Sequence, residues 1–183
     1  MLPPIFVITG PPAAGKSTIS RELMQRFEFG IHIPVDDLRE WVVSGIAHPI
    51  DWSEETTRQF SLAEQSAADL AIRYNDSGFA VAIDHCCGPP TLDDLIASRF
   101  EGRQVVKVVI LPSLEVNLQR NRDRTGKNFD PELLTQSIHR LYPLYASANL
   151  PALGWNVLEN SGSCAAETSD KLLSLTESNL SAQ

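Results

Sequence analysis

Short runs of apolar residues alternate with longer stretches of helical spacing along almost the whole chain. The runs at residues 5–9, 31–35, 79–83, 105–111 and 155–158 are rich in apolar residues and predict five buried strands. Between them, apolar residues recur three or four positions apart, as on one face of a helix. This β–α alternation predicts an α/β fold in which a parallel five-stranded sheet carries helices on both faces.

The helical stretches have recognisable ends. Helices are predicted over residues 18–27, 36–43, 53–74, 91–100, 113–124, 131–148 and 164–180. Asp36 is expected to cap the second of these helices, and the sequence SEET at Ser53 matches a capping box. Pro143 is expected to kink or end the sixth. No repeat or linker divides the chain, which predicts a single domain over residues 1–183.

The composition is that of an ordinary globular protein with an acidic balance. Hydrophobic residues make up 43% of the 183 residues, charged residues make up 21%, and the net charge is -8. A protein that coats DNA or RNA needs a basic field, so the charge argues against that class. It leaves room for a local basic patch.

The chain shows no sign of export or of a structural metal site. The apolar run near the N-terminus has no basic flank and is shorter than the roughly 7–15 residues of a signal peptide core. No stretch approaches the roughly 20 apolar residues of a membrane span. Cys86, Cys87 and Cys164 show no CxxC or Cys/His metal spacing and are expected to be free thiols. We therefore expect a cytoplasmic protein.

Residues 10–17, GPPAAGKS, fit the pattern G-x-x-x-x-G-K-[ST] between a predicted strand and a predicted helix. In such a loop the backbone N–H groups surround phosphate oxygens, and the following helix adds its positive dipole end. Lys16 is predicted to reach the β- and γ-phosphates, and the Ser17 hydroxyl to bind Mg²⁺. The predicted nucleotide-binding residues are Gly10, Pro11, Pro12, Ala13, Ala14, Gly15, Lys16, Ser17, Thr18 and Arg120. The motif predicts a P-loop NTPase that binds a nucleoside triphosphate.

The absence of other motifs narrows the class of P-loop NTPase. Residues 123–126 match DxxG as a string, but they follow a charged helix, and the NKxD motif of GTPases is absent. The chain also lacks an LSGGQ-like signature and is short for a helicase. A small kinase remains, with ATP and Mg²⁺ as its predicted cofactors.

Carboxylates follow two of the predicted strands. Asp36, in the sequence DDLR, comes directly after the second strand, and Asp84 ends the third. The carboxyl ends of parallel strands face the same edge as the phosphate loop, where ligands bind. Asp36 is therefore predicted to accept the proton of an attacking hydroxyl, Arg39 to hold the acceptor, and Asp84 to orient Mg²⁺ or contact the acceptor. His85 follows Asp84, but a lone histidine at the end of a strand is more often structural, and it is not predicted to be catalytic.

A basic segment follows the fourth strand. Residues 99–130 contain seven basic and four acidic residues, a net charge of +3 in a chain of -8. Arg120 and Arg124 are four residues apart and share one face of a helix. We expect a basic lid over residues 120–130, in which Arg124 stabilises charge on the transferring phosphoryl group.

Together these motifs resemble the phosphate-loop kinases of the AAA_33, zeta-toxin and chloramphenicol phosphotransferase type, and especially the kinase domain of 5′-hydroxyl polynucleotide kinases. The resemblance rests on GPPAAGKST, DDLR, Asp84 and the sequence RNRDRTGK, and it covers roughly residues 5–145. It implies that Asp36 is the base, that Arg39 contacts an acceptor phosphate, that Arg120 lies near the nucleotide, and that Arg124 stabilises the transferred phosphate. Gluconate and shikimate kinases share this general arrangement.

The chain departs from the polynucleotide kinases in its charge. Residues 53–76, together with Asp51 just before them, carry six acidic and two basic side chains, which would repel a polyanion. We therefore predict transfer of the γ-phosphate of ATP to a hydroxyl of a small molecule, with no membrane partner. A 5′-hydroxyl polynucleotide kinase is the first alternative, and a non-catalytic nucleotide-dependent switch or binding module is the second.

Overall fold

The computed structural model describes residues 2–49, 51–124, 131–146 and 149–180. Five strands alternate with helices in the predicted order. The strands are β1 (Ile5–Thr9), β2 (Gly30–Pro34), β3 (Ala80–Asp84), β4 (Val105–Ile110) and β5 (Asn156–Leu158). The helices are α1 (Lys16–Met24), α2 (Val35–Glu40), α3 (Glu54–Asp76), α4 (Pro89–Arg99), α5 (Leu114–Arg122), α6 (Pro131–Ala146) and α7 (Ala165–Leu180), with a short 3-10 helix at Pro151–Leu153.

The strands form one parallel sheet in the order β2-β3-β1-β4-β5. This confirms the predicted five-stranded α/β architecture. β1 lies at the centre and pairs with β3 on one side and β4 on the other, Ile5 lying opposite both Val81 and Val105. The chain switches sides at β1, and the carboxyl ends of β1 and β3 therefore flank the crevice where such sheets bind ligands.

Alternate residues of β1 face two separate hydrophobic layers, because successive strand side chains point to opposite faces. Ile5 and Val7 pack in a layer that includes the alanines of α3 and Trp155. Phe6 and Ile8 pack in a second layer with residues of α1 and α7. Both faces of the sheet are thus covered by helices, which explains why the strands are apolar along nearly their whole length.

The sequence signals for helix ends are confirmed at one helix and not at two others. The capping box is present: the Ser53 hydroxyl accepts from Thr56 N, and the Thr56 hydroxyl accepts from Ser53 N. Asp36 is not a cap, because α2 begins one residue earlier, at Val35. Pro143 does not end α6, which continues to Ala146.

None of the helices in the described part of the chain is long and apolar enough to cross a membrane.

Candidate active site

The loop between β1 and α1, residues 10–15, is shaped by glycines at both ends. Gly10 has a φ of 144°, and a Cβ at this position would lie 2.2 Å from the Ile110 carbonyl oxygen at the end of β4. Gly15 has a φ of 97° and directly precedes α1. Only glycine adopts such angles without strain. The loop therefore follows a fixed path from the centre of the sheet to the amino end of a helix, where anions bind.

Lys16 is buried and bends back over this loop. Its Nζ donates to the carbonyl oxygens of Gly10 and Pro11, each at 3.0 Å, and to Cys86 Sγ at 2.9 Å. Burial opposes the charge, but Cys86 and the nearby carboxylates of Asp84 and Asp36 outweigh it and hold the pKa of Lys16 above its ordinary value. The ammonium is therefore charged and lies at the mouth of the loop.

Side chains from distant parts of the chain fix the loop from behind. Asn117 Nδ2 donates to the Pro12 carbonyl at 2.7 Å. The Ala14 carbonyl accepts from Arg120 Nη1 and from Asn160 Nδ2, each at 3.1 Å. Arg120 is predicted to contact the nucleotide. Its guanidinium donates a hydrogen bond to the loop backbone, and the residue also lines the cleft. The loop is held in shape by interactions other than those of a ligand.

Asp84 ends β3 beside the loop and is buried. It accepts a hydrogen bond from His32 of β2. Burial raises the pKa of Asp84, but the His32 contact and the charge of Lys16 outweigh it, and the Ser17 hydroxyl adds to their effect, so that the pKa lies below its usual value. An ionised carboxylate and a hydroxyl therefore stand together beside the phosphate loop. Oxygen donors of this kind are those that Mg²⁺ prefers, so the residues fit this ion.

Asp36 lies in the first turn of α2 with its side chain 38% exposed. Behind it, the buried His85 follows β3. His85 Nδ1 is 3.8 Å from Asp36 Oδ1, and His85 Nε2 donates to Glu64 Oε1 of α3 at 2.9 Å. Burial lowers the pKa of His85, but interactions with Cys87, Glu64 and Asp36 outweigh it and raise the pKa to about 9. One imidazole thus faces two carboxylates.

Arg39 belongs to an aromatic stack. It is buried, its Nη1 donates to the Ala47 carbonyl at 2.8 Å, and its guanidinium carbon lies 4.7 Å from the centre of the Phe60 ring. The Phe60 ring stacks on Trp52 with centres 5.3 Å apart and an interplanar angle of 11°. A cation over an aromatic face is an attractive arrangement. This stack forms a flat apolar wall close to Asp36.

These groups line one cleft of about 1100 Å³. On one side, called here the loop side, it is lined by Pro12, Ala13, Gly15, Lys16, Ser17, Thr18, Arg120, Arg124 and Arg140. On the other, called here the aromatic side, it is lined by Asp36, Arg39, Glu40, Trp52, Phe60, Glu64 and His85. Asp84 lines it as well. Gly10, Pro11 and Ala14 are buried beneath this surface.

The structure therefore brings most of the predicted site residues to one cleft. Of the predicted lid, Arg120 and Arg124 are described, and residues 125–130 lie outside the described residues. Among the titratable cleft residues that the sequence did not assign to the site are His85, Glu64 and Arg140. The sequence DHCC after a strand was the available signal for His85, since that position is a ligand-binding edge. For Glu64, the available signal was its position one helical turn after Phe60. Nothing in the sequence indicated that Arg140 would lie at the cleft.

The sequence of residues 5–142 matches the AAA_33 family, described as an AAA domain. The chain belongs to the AAA_33 family. A search of curated proteins finds no match. The predicted resemblance to this group is confirmed, and it covers the phosphate loop, Asp36, Asp84, Arg124 and Arg140.

Solved structures show which fold this AAA_33 chain shares. It is similar to the tunicamycin resistance protein of Deinococcus radiodurans, with 12% identity, a TM-score of 0.64 and 95% of each chain covered. It is also similar to shikimate kinase from Acinetobacter baumannii, with 22% identity, a TM-score of 0.61 and coverage of 98% of this chain and 95% of that one. These likenesses show the P-loop kinase fold.

The likeness to polynucleotide repair enzymes is weaker than the sequence motifs predicted. A chain of the Pnkp1/Rnl/Hen1 RNA repair complex matches with 20% identity and a TM-score of 0.57. The match covers 81% of this chain and 47% of that one. The AAA_33 chain thus shares a fold with small-molecule kinases over nearly its full described length, and with the repair protein over a part.

Proposed function

We propose that this protein is an ATP-dependent kinase that transfers the γ-phosphoryl group of ATP to a hydroxyl of a small-molecule acceptor. The observation that carries the proposal is that the phosphate loop and the carboxylate of Asp36 open onto the same cleft. A loop alone would support nucleotide binding only. A carboxylate facing the same space supports transfer to a second molecule, because an acceptor hydroxyl must lose its proton.

The loop side of the cleft is suited to the triphosphate. The backbone N–H groups of Ala13 and Gly15 and the amino end of α1 supply hydrogen-bond donors, whereas Pro11 and Pro12 have no N–H, and Lys16 supplies a fixed positive charge. Ser17 and Asp84 would hold Mg²⁺. When bound, this ion neutralises phosphate charge. Lys16 now donates to two loop carbonyl oxygens, which phosphate oxygens would replace as acceptors.

Transfer requires Asp36 to act on the acceptor. As the hydroxyl oxygen forms a bond to the γ-phosphorus, the bond between that phosphorus and the β–γ bridging oxygen breaks, and ADP leaves. The hydroxyl proton passes to the Asp36 carboxylate. His85, held by Glu64, lies behind this carboxylate with its Nδ1 3.8 Å from Asp36 Oδ1.

Two exposed arginines at the cleft would stabilise the transferring group. Arg124 follows α5 and Arg140 lies on α6, and both line the cleft together with the loop. Positive groups near the γ-phosphoryl oxygens lower the energy of the charge that they carry in the transition state. Arg120 contributes less directly, because two of its nitrogens already donate to the carbonyls of Ala14 and Asn160.

The charge of the aromatic side supports a small acceptor over a polynucleotide. Asp36, Glu40 and Glu64 all line it, whereas Arg39 is buried in its stack with Phe60. A nucleic-acid strand needs a basic path for its phosphates. A flat aromatic wall next to carboxylates is suited to a compact molecule that offers an apolar face and hydroxyl groups.

A screen that follows ADP release tests the proposal. The purified chain, ATP and Mg²⁺ are combined with sugars, nucleosides, hydroxylated antibiotics and a 5′-hydroxyl oligonucleotide, and transfer is verified with ATP labelled at the γ-phosphate. We expect label on a small acceptor and none with Asp36→Asn. Faster labelling of the oligonucleotide would establish the polynucleotide kinase instead. Tight ATP binding without transfer to any acceptor in the panel would support a non-catalytic module.

A further inference from the structure

Glu64, His85 and Cys87 form a compact cluster of metal-ligating groups, called here the EHC cluster. One donor atom from each residue lies within 4.8 Å of the other two. Glu64 comes from α3, whereas His85 and Cys87 come from the loop between β3 and α4, so the cluster is created by the fold. All three residues line the cleft on its aromatic side or at its floor. None of them belongs to the predicted Mg²⁺ site at Ser17 and Asp84.

The donor set selects a class of metal. A thiolate, an imidazole nitrogen and one carboxylate oxygen suit a late transition metal such as Zn²⁺, whereas Mg²⁺ prefers oxygen ligands only. Zinc bonds of about 2.0–2.3 Å in tetrahedral geometry set ligand atoms roughly 3.3–3.6 Å apart. The donors are separated by 2.9 Å, between His85 Nε2 and Glu64 Oε1, and by up to 4.8 Å. Binding would therefore require the Cys87 and Glu64 side chains to rotate until their donor atoms reach these distances.

A second observation concerns His85 itself. The residue is 4% exposed, and its Nδ1 has no hydrogen-bond partner among the described residues although it is buried. This nitrogen faces Asp36 Oδ1 at 3.8 Å. Metal-bound histidines commonly direct their other ring nitrogen at a carboxylate, which fixes the ring and raises its basicity. In this protein His85 faces the carboxylate of Asp36 on one side and the donor atoms of Glu64 and Cys87 on the other.

We propose that the EHC cluster binds one Zn²⁺ ion in an open site with three protein ligands. Binding releases the thiol proton of Cys87 and one imidazole proton of His85, so the ligands and the ion together carry no net charge. The fourth position opens into the cleft, as in zinc sites that accept a water or a substrate oxygen. The proposal does not depend on the kinase activity, because binding can be measured on the protein without ATP.

The experiment is a titration of the full chain, freed of any purification tag, with Zn²⁺ in a thiol-free reductant. We expect one ion per chain, and absorption from cobalt–thiolate bonding when Co²⁺ replaces Zn²⁺. Cys87→Ser should abolish that absorption and weaken Zn²⁺ binding at least about tenfold. His85→Gln should weaken it similarly. Cys86→Ser and Cys164→Ser remove the other two thiols of the chain and should leave both signals unchanged.

Each result decides the matter. One Zn²⁺ ion per chain, with thiolate absorption that only the Cys87 variant of the three cysteine variants removes, would establish the site. Absence of cobalt–thiolate absorption in the unaltered protein would overturn the proposal without reference to any variant. Zinc binding that survives Cys87→Ser and His85→Gln at the same affinity would assign the ion to other residues and would overturn it equally.

Discussion

The two sides of the cleft are held in place by different means. On the loop side, backbone carbonyls of Pro12 and Ala14 accept hydrogen bonds from Asn117, Arg120 and Asn160, so that main-chain geometry is fixed from behind. The aromatic side relies on side-chain stacking along an exposed edge, where the Trp52 side chain is 58% exposed. A rigid main-chain cradle suits a ligand common to a whole fold. Side chains on an open edge suit a ligand particular to one protein.

The two sides also differ in charge. The loop side presents Lys16, Arg124 and Arg140, and the aromatic side presents Asp36 and Glu64 among its carboxylates. The net charge of -8 therefore does not describe the site, because cationic groups line the part of the cleft where phosphates would bind. If the comparison is correct, substitutions on one side alter ATP affinity and those on the other alter the acceptor step.

The largest expected effect is on the aromatic side, at Asp36. Asp36→Asn removes the proton acceptor and should lower kcat by about 10²–10⁴-fold, while the Kd for ATP stays within a few-fold. Asp37→Asn is the matched control, because it removes the same charge from the next residue, and the Asp37 side chain does not line the cleft. ADP release and ATP titration measure the two quantities. Transfer that survives in the Asp36 variant would remove Asp36 from the role of base.

On the loop side, Lys16→Met should act on the nucleotide. The change keeps most of the length of the buried side chain and removes its charge, and a hydrogen bond to a charged group contributes about 1.5–3 kcal/mol. We expect ATP affinity to fall about 100-fold, and thermal unfolding will show that the variant is folded. An ATP affinity equal to that of the unaltered protein would mean that the loop does not hold the phosphates through Lys16.

The phosphate loop of the loop side could be predicted from the sequence because its residues are contiguous. Gly10, Gly15, Lys16 and Ser17 stand in one motif, and the apolar runs on either side identify the strand and the helix that position it. The order of strands within the sheet did not follow from these local patterns. It depends on which pairings bury the most apolar surface across the whole chain.

The aromatic side could be predicted only in part, because it is assembled from segments far apart in sequence. His85 contacts Glu64, which is 21 residues away in the sequence, and Arg39 of α2 contacts the Phe60 ring of α3. A histidine at the end of a strand looks structural until its partners are known. The sequence predicts Asp36 both as a helix cap and as a base, and the start of α2 at Val35 shows that it does not cap the helix.

Arg124 tests whether the cationic residues of the loop side act in transfer. Arg124→Gln should lower kcat about tenfold, at the lower end of the range for charged hydrogen bonds, because the side chain is exposed. Arg122→Gln is the matched control: Arg122 is exposed too, but its Nη2 donates to Gln119 and it does not line the cleft. Equal losses in the two variants would indicate a general effect of charge.

The smallest effect is expected at Trp52, and it separates the two sides most directly. Trp52→Ala removes the exposed ring that stacks on Phe60, and an aromatic contact between this ring and the acceptor would contribute about 0.5–1.5 kcal/mol. The KM for the acceptor should therefore rise about 2–10-fold, with the KM for ATP unchanged. Trp41→Ala is the control, because Trp41 is more exposed than Trp52 and lies outside this cleft. A rise in the KM for ATP alone would show that the aromatic wall serves the nucleotide, and the two sides would then have to be assigned the other way round.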